Sequence, residues 1–188
     1  MTGASDEPHG GEAPSPWIRR WSHLVPAGAD VLDVACGYGR HLRWFAQHDH
    51  PVVGVDRSPE AIASVKVLGE ALLADIENGP WPFTGRRFGG VVVTNYLWRP
   101  LLPAIVGSVA PGGALLYETF ASGNETVGKP SRPDFLLQPG ELLRACEGLR
   151  VVAYEDGFLE QPARFVQRVA AVRPVAGDTV ARHRLPPG

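Results

Sequence analysis

Cysteine, lysine and methionine are scarce in this chain of 188 residues, which holds two cysteines (Cys36 and Cys146), two lysines (Lys66 and Lys129) and one methionine. The cysteines form neither a metal-ligand spacing nor a disulfide framework, which fits a reducing compartment, and a cytoplasmic location is expected. Arginine therefore carries nearly all the positive charge. A formal net charge of -2 and a pI of about 6.3 exclude the overall basic surplus of a dedicated nucleic-acid binder. No apolar run approaches the roughly 20 residues that span a bilayer, so no membrane partner is expected. The opening residues MTGASDEPHGGEAPSP also lack the basic start and apolar stretch of a signal peptide.

What is present is the composition of an ordinary globular domain, 44% hydrophobic and 20% charged, in a length that suits one domain. Residues 17–174 are expected to form that domain, between disordered tails at 1–16 and 175–188. Short apolar runs alternate with helical segments, the pattern of a parallel sheet covered on both faces. Runs at 31–36, 52–56, 71–75, 91–96 and 114–120 predict five buried strands, and 40–47 predicts a helix after the first. Ser58-Pro59-Glu60 supplies an N-cap and a first-turn proline for another helix. The runs at 149–158 and 163–174 lie only a few residues apart around Pro162, which predicts an antiparallel hairpin. The expected fold is α/β: a Rossmann-like, seven-stranded, mostly parallel sheet with an antiparallel C-terminal strand and helices on both faces.

The chemistry concentrates where strands are expected to end. Asp33-Val34-Ala35-Cys36-Gly37-Tyr38-Gly39-Arg40 turns from strand to helix through small residues, which lets a ligand lie against the backbone. This is not a dinucleotide site, because Leu42 stands where the third glycine of G-x-G-x-x-G would fall, and no P-loop occurs. Asp56 ends the second strand 19 residues after Gly37, where a carboxylate can accept two ribose hydroxyls. Asp75-Ile76 follows the third, offering an acceptor for an amino group beside an aliphatic surface. Together these predict an adenosine pocket without a phosphate cradle. His41, His48 and His50 give no standard ligand geometry, so no metal is expected and their helix reads as solvent-facing. Cys36, with no recognisable histidine partner, reads as a small apolar turn residue.

This constellation resembles the class I S-adenosylmethionine-dependent methyltransferases over nearly the whole ordered chain, and within them the small bacterial tellurite-resistance-like type. The resemblance implies S-adenosyl-L-methionine as cofactor. It implies that Asp33 orients the cofactor's methionine end above Ala35, Cys36, Gly37 and Gly39, that Asp56 binds the ribose, and that Asp75 and Ile76 bind the adenine. Arg57 and Asn95 count among the cofactor-binding positions. Ala35 departs from the family's glycine by a single methyl, and Pro111-Gly112-Gly113 matches its turn before strand five. Asn95-Tyr96-Leu97-Trp98-Arg99-Pro100 lacks the Pro-Pro of enzymes that methylate base amino groups, which argues against that activity.

The expected reaction is in-line methyl transfer to a small-molecule acceptor. Tyr96 and Glu118 are the candidate bases if an acceptor needs deprotonation. Trp98, Arg99, Asn124, Arg132 and Phe135 are the expected acceptor-binding residues, the last three on the turn-rich segment 121–140. Trp17 and Trp21, four apart on a short helix, read as packing residues or as a lid over the cofactor. The alternatives are an RNA or protein methyltransferase on the same fold, or a non-catalytic module that binds S-adenosyl ligands. A monomer or weak homodimer is expected.

Overall fold

The computed structural model describes residues 12–177 and 181–186. Most of the expected N-terminal tail thus lies outside the described residues. Seven strands form one sheet: β1 (Val31–Val34), β2 (Val52–Asp56), β3 (Glu70–Leu73), β4 (Phe88–Thr94), β5 (Val109–Phe120), β6 (Arg150–Glu160) and β7 (Ala163–Val172). Their order is β3-β2-β1-β4-β5-β7-β6, with β1 to β5 parallel and β7 antiparallel to both neighbours. Helices α1 (Pro16–Trp21), α2 (Arg40–Ala46) and α3 (Pro59–Val65) pack on one face, and α4 (Leu102–Gly107) and α5 (Glu141–Ala145) on the other.

Side-chain alternation along each strand divides the core between these layers. Val91 and Val93 of β4 join Leu115 and Tyr117 of β5 beneath α4 and α5, while Val92 and Leu116 face α1 to α3. Covered on both faces, β1, β2, β4 and β5 are apolar at consecutive positions, which is why they stand out as runs, whereas β3, expected to be buried, lies at the sheet edge with Leu73 exposed. Among the described residues no helix is long and apolar enough to cross a membrane.

Several boundaries differ from expectation, each for a local reason. β1 stops at Val34 because Ala35 takes φ 54°, and β4 stops at Thr94 because Asn95 takes φ 53°. β3 ends at Leu73, which leaves Asp75 beyond the ladder. Pro111-Gly112-Gly113 lies within β5 rather than before it, and the β4–β5 register shifts between Phe88 and Gly90. At the N-terminus, Ser15 is buried and caps α1, its Oγ accepting the Trp17 amide at 3.1 Å. Trp17 and Trp21 are core residues, and the Trp17 indole donates to the Val169 carbonyl at 3.3 Å. The helix α2 is not solvent-facing throughout: His41, Leu42 and Phe45 are all buried.

Candidate active site

The strand order reverses at β1 and β4, which opens a crevice at their carboxyl ends. Three adjoining clefts occupy it. One, of about 300 Å³, lies between the turn at 35–39 and Thr94-Asn95. A second, of about 120 Å³, lies between Asp56, Arg57, Asp75, Ile76 and Tyr96. The third, of about 250 Å³, lies between Asn95, Tyr96, Phe120 and Phe135. Ala35 borders the first two, Glu77 and Tyr96 the last two, and Asn95 the first and third, so all three meet around Asn95-Tyr96.

On the side of the first two clefts, Asp56 organises the turn. Its Oδ2 accepts the Gly37 amide and its Oδ1 the Ser58 amide, both at 2.9 Å, which leaves a lone pair on each oxygen for a ligand. Ser58 in turn caps α3 as expected, accepting the Ala61 amide at 3.2 Å. The two glycines of the turn have different reasons. A Cβ on Gly37, at φ 51°, would meet nothing within 4 Å, so the space above it is open. A Cβ on Gly39, which also borders the first cleft, would fall 2.5 Å from Val65 Cγ1, so a glycine here serves helix packing as well. Ala35 holds the left-handed conformation at a cost of about 1–2 kcal/mol, the strain that the family's glycine avoids.

Asp33 is 2% exposed, and its Oδ2 has no hydrogen-bond partner. The closest cation-forming atom is His41 Nδ1 at 3.7 Å. His41 Nε2 accepts the Ser15 amide at 3.2 Å, so a neutral ring carries its hydrogen on Nδ1, facing Asp33. Cys36 is ruled out as a nucleophile: burial, reinforced by the Asp33 and Asp56 carboxylates, pushes its thiol far above the usual range. Asp75 accepts the Asn78 side chain at 2.8 Å and the backbone amides of Asn78 and Glu77. The Asn78 contacts hold its carboxyl below the ordinary range. These groups fit an S-adenosyl ligand: open backbone at Gly37, acceptors at Asp56 and Asp75, buried Ile76 beside them, and a buried carboxylate at Asp33 whose Oδ2 accepts no hydrogen bond.

The acceptor side departs further from expectation. Tyr96 borders two clefts, and its buried hydroxyl lies beside the Glu77 carboxylate. Burial, then the Glu77 and Asp75 carboxylates, raise the phenol well above its usual range, so Tyr96 stays protonated and is no base. Glu118 is 1% exposed and lines none of the three clefts. It accepts Ser15 Oγ at 3.0 Å and lies 3.5 Å from Arg164 and 3.2 Å from Arg168, so its lone pairs are committed to structure. Arg99 pairs with Glu141 at 2.7 Å and donates to the carbonyls of Asp134 and Leu136. Buried Asn124 donates to the Pro130 carbonyl and accepts the Phe165 amide. Both therefore fasten the segment 121–140 instead of facing an acceptor. Trp98 packs against the core beneath α4, away from the clefts. Exposed Arg132 pairs with Asp134 at 2.8 Å and stacks on Phe135, and of the five residues only Phe135 lines the third cleft.

Segment 121–140 is anchored at its base. Ala121 and Leu137 form a parallel bridge, with the Ser122 amide donating to the Leu137 carbonyl and the Leu137 amide to the Phe120 carbonyl. Sequence reasoning missed Glu77, Phe120, Ser15 and the burial of His41. The Ser-Pro pair at 15–16 is a helix-cap signal, and positions 41, 42 and 45 share one helix face. Glu77 had only its closeness to Asp75 to mark it.

Residues 31–113 match the family described as Methyltransferase domain. The matched segment runs from β1 into β5 and makes up less than half of the chain, which is similar to a methyltransferase domain there. No curated protein matches this chain by sequence. TehB from Haemophilus influenzae shares its fold with a TM-score of 0.66 at 19% identity, over 81% of this chain and 60% of TehB. A TehB-like SAM-dependent methyltransferase from Corynebacterium glutamicum gives 0.64 at 19% identity, over 87% and 90%. The glycopeptide N-methyltransferase MtfA, in complex with S-adenosyl-L-homocysteine, gives 0.56 at 19% identity, over 81% and 86%. This chain thus shares the Rossmann-like fold of these proteins and spans about three-fifths of the length of TehB.

Proposed function

We propose that this protein is a methyltransferase that uses S-adenosyl-L-methionine to methylate a small molecule held in the third cleft. The observation that carries this reading is Asp56, fixed by the Gly37 amide at the mouth of a pocket that also contains Asp75 and Ile76. The S-adenosyl-L-homocysteine complex of MtfA, on the same fold, supports it. Bound there, the cofactor supplies an electrophilic methyl group on a sulfonium. The chain's own part is to bind and align: Asp56 takes the ribose, Asp75 and Ile76 the base, and Asp33 the charged methionine end. Phe120 and Phe135 keep water from the acceptor, and alignment alone can account for several kcal/mol of the barrier.

A small acceptor is favoured because the basic residues that would guide a polymer are engaged. Arg99 pairs with Glu141, Arg132 with Asp134, and Arg144 donates to the Pro139 carbonyl. The cytoplasm suits the two free thiols, and a monomer or weak homodimer suffices for a site built from one chain. Calorimetry with S-adenosyl-L-homocysteine tests the reading. Binding is expected, with NAD and ATP much weaker, and absence of binding overturns it.

A further inference from the structure

Resting on that reading, we infer that the third cleft selects a cationic nitrogen acceptor, an aromatic or alkyl amine held as its ammonium ion, through Glu77 and three aromatic walls. Among the described residues lining this cleft, Glu77 alone carries charge, and it is half-buried. Tyr96, Phe120 and Phe135 supply ring surfaces around it. An acid set among aromatic rings is the chemistry that receives an ammonium, since ring faces attract a cation and a partly desolvated carboxylate pairs with it.

The surroundings reinforce this choice of sign. Asp56 and Asp75 border the adjoining pocket, with Arg57 on that side. The arginines near the segment 121–140 do not offset Glu77: Arg99 is spent on Glu141, and Arg132 on Asp134. The Tyr96 hydroxyl stays neutral beside the Glu77 carboxylate, so the charge of the cleft is that of Glu77. An oxyanion or carboxylate entering this cleft would meet Glu77 with no unpaired cation in the lining, a repulsive arrangement that excludes such acceptors.

The reaction balances without a further reactant. The ammonium gives one proton to water. The freed nitrogen lone pair forms the new C–N bond as the methyl–sulfonium C–S bond breaks, and that electron pair stays on sulfur. The products are a neutral thioether and an N-methylated ammonium ion.

The test uses the full chain loaded with S-adenosyl-L-homocysteine and three probes of one shape: 2-phenylethylamine, 2-phenylethanol and 3-phenylpropanoate. Binding is measured by ligand-observed NMR. The amine should bind at least tenfold more tightly than the carboxylate, with the alcohol between them. Glu77→Gln should weaken the amine about tenfold and leave the alcohol unchanged. Equal or stronger binding of the carboxylate, or no binding of the amine, overturns the inference even though the loaded cofactor site stands. Failure of S-adenosyl-L-homocysteine to bind in the first place overturns the underlying reading instead. The ranking of the probes on the unmodified chain decides the matter if the variant fails to fold.

Discussion

The two sides of the crevice spend their polar groups differently. On the cofactor side Asp33, Asp56 and Asp75 stand at or just beyond strand ends with acceptor capacity to spare. On the acceptor side Arg99, Asn124 and Glu118 have turned theirs inward, onto Glu141, the Pro130 carbonyl and two arginines. A nucleoside presents many donors in a fixed geometry and needs matching receivers. The acceptor side is held as a shape by its own hydrogen bonds, with one acid left facing the cleft. This contrast predicts that polar substitutions damage ligand binding on one side and folding on the other.

The largest effect should come from the fold side. Glu118→Ala strands Arg164 and leaves Arg168 only its Glu155 pair, both guanidinium groups being mostly buried, and should lower stability by about 3 kcal/mol in urea unfolding, toward the lower end for breaking a buried pair. Unchanged stability, with turnover lost, would return Glu118 to the chemistry. Next is Asp56→Ala, for which calorimetry should show a cofactor affinity loss of about 1.5–3 kcal/mol, the worth of hydrogen bonds to a charged acceptor. A smaller effect is expected across the crevice. Phe135→Ala should raise the acceptor KM about tenfold, roughly 1.4 kcal/mol, while exposed Arg132→Ala should leave it within about twofold. The reverse order would show that the segment works by charge rather than shape.

Two weaker effects sharpen the same contrast. The Asp75 carboxyl is depressed, so its ionised form is present above the ordinary carboxylate range and is lost only as pH falls through the lowered value. Cofactor affinity measured by titration should therefore show no loss attributable to Asp75 down to about pH 5. Ala35→Gly should remove about 1–2 kcal/mol of left-handed strain against roughly 0.5–1 kcal/mol of added chain entropy. The net gain, about 0–1.5 kcal/mol, should raise Tm by no more than a few degrees.

The sheet and its three acids are legible in the sequence because parallel strands buried on both faces are apolar runs, and a polar residue at the end of a run marks the crevice. Strand ends are less legible, since Ala35 and Asn95 stop their strands by adopting positive φ, which nothing in the flanking pattern announces. The acceptor side is opaque for a different reason. Glu118 meets Ser15, Arg164 and Arg168 at sequence separations of 103, 46 and 50 residues, and such pairings follow only from the assembled sheet. Arg99 and Asn124 look like recognition residues for the same reason: their partners Glu141 and Phe165 are 42 and 41 residues away. His41 reads as a surface helix residue until the chain before α1 is laid over it.

The Ala121–Leu137 bridge has an engineering consequence. It closes the base of the segment beside the end of β5, so residues 123–135 form a loop whose two ends are already held together. Lengthening such a loop costs little, about 0.6 kcal/mol for each doubling, because the closure is paid at the bridge and not by the sheet. With Phe120, Ala121, Asn124, Leu136 and Leu137 kept as sockets, the exposed residues 125–129 are where foreign sequence is expected to be tolerated, leaving Asp33, Asp56 and Asp75 untouched.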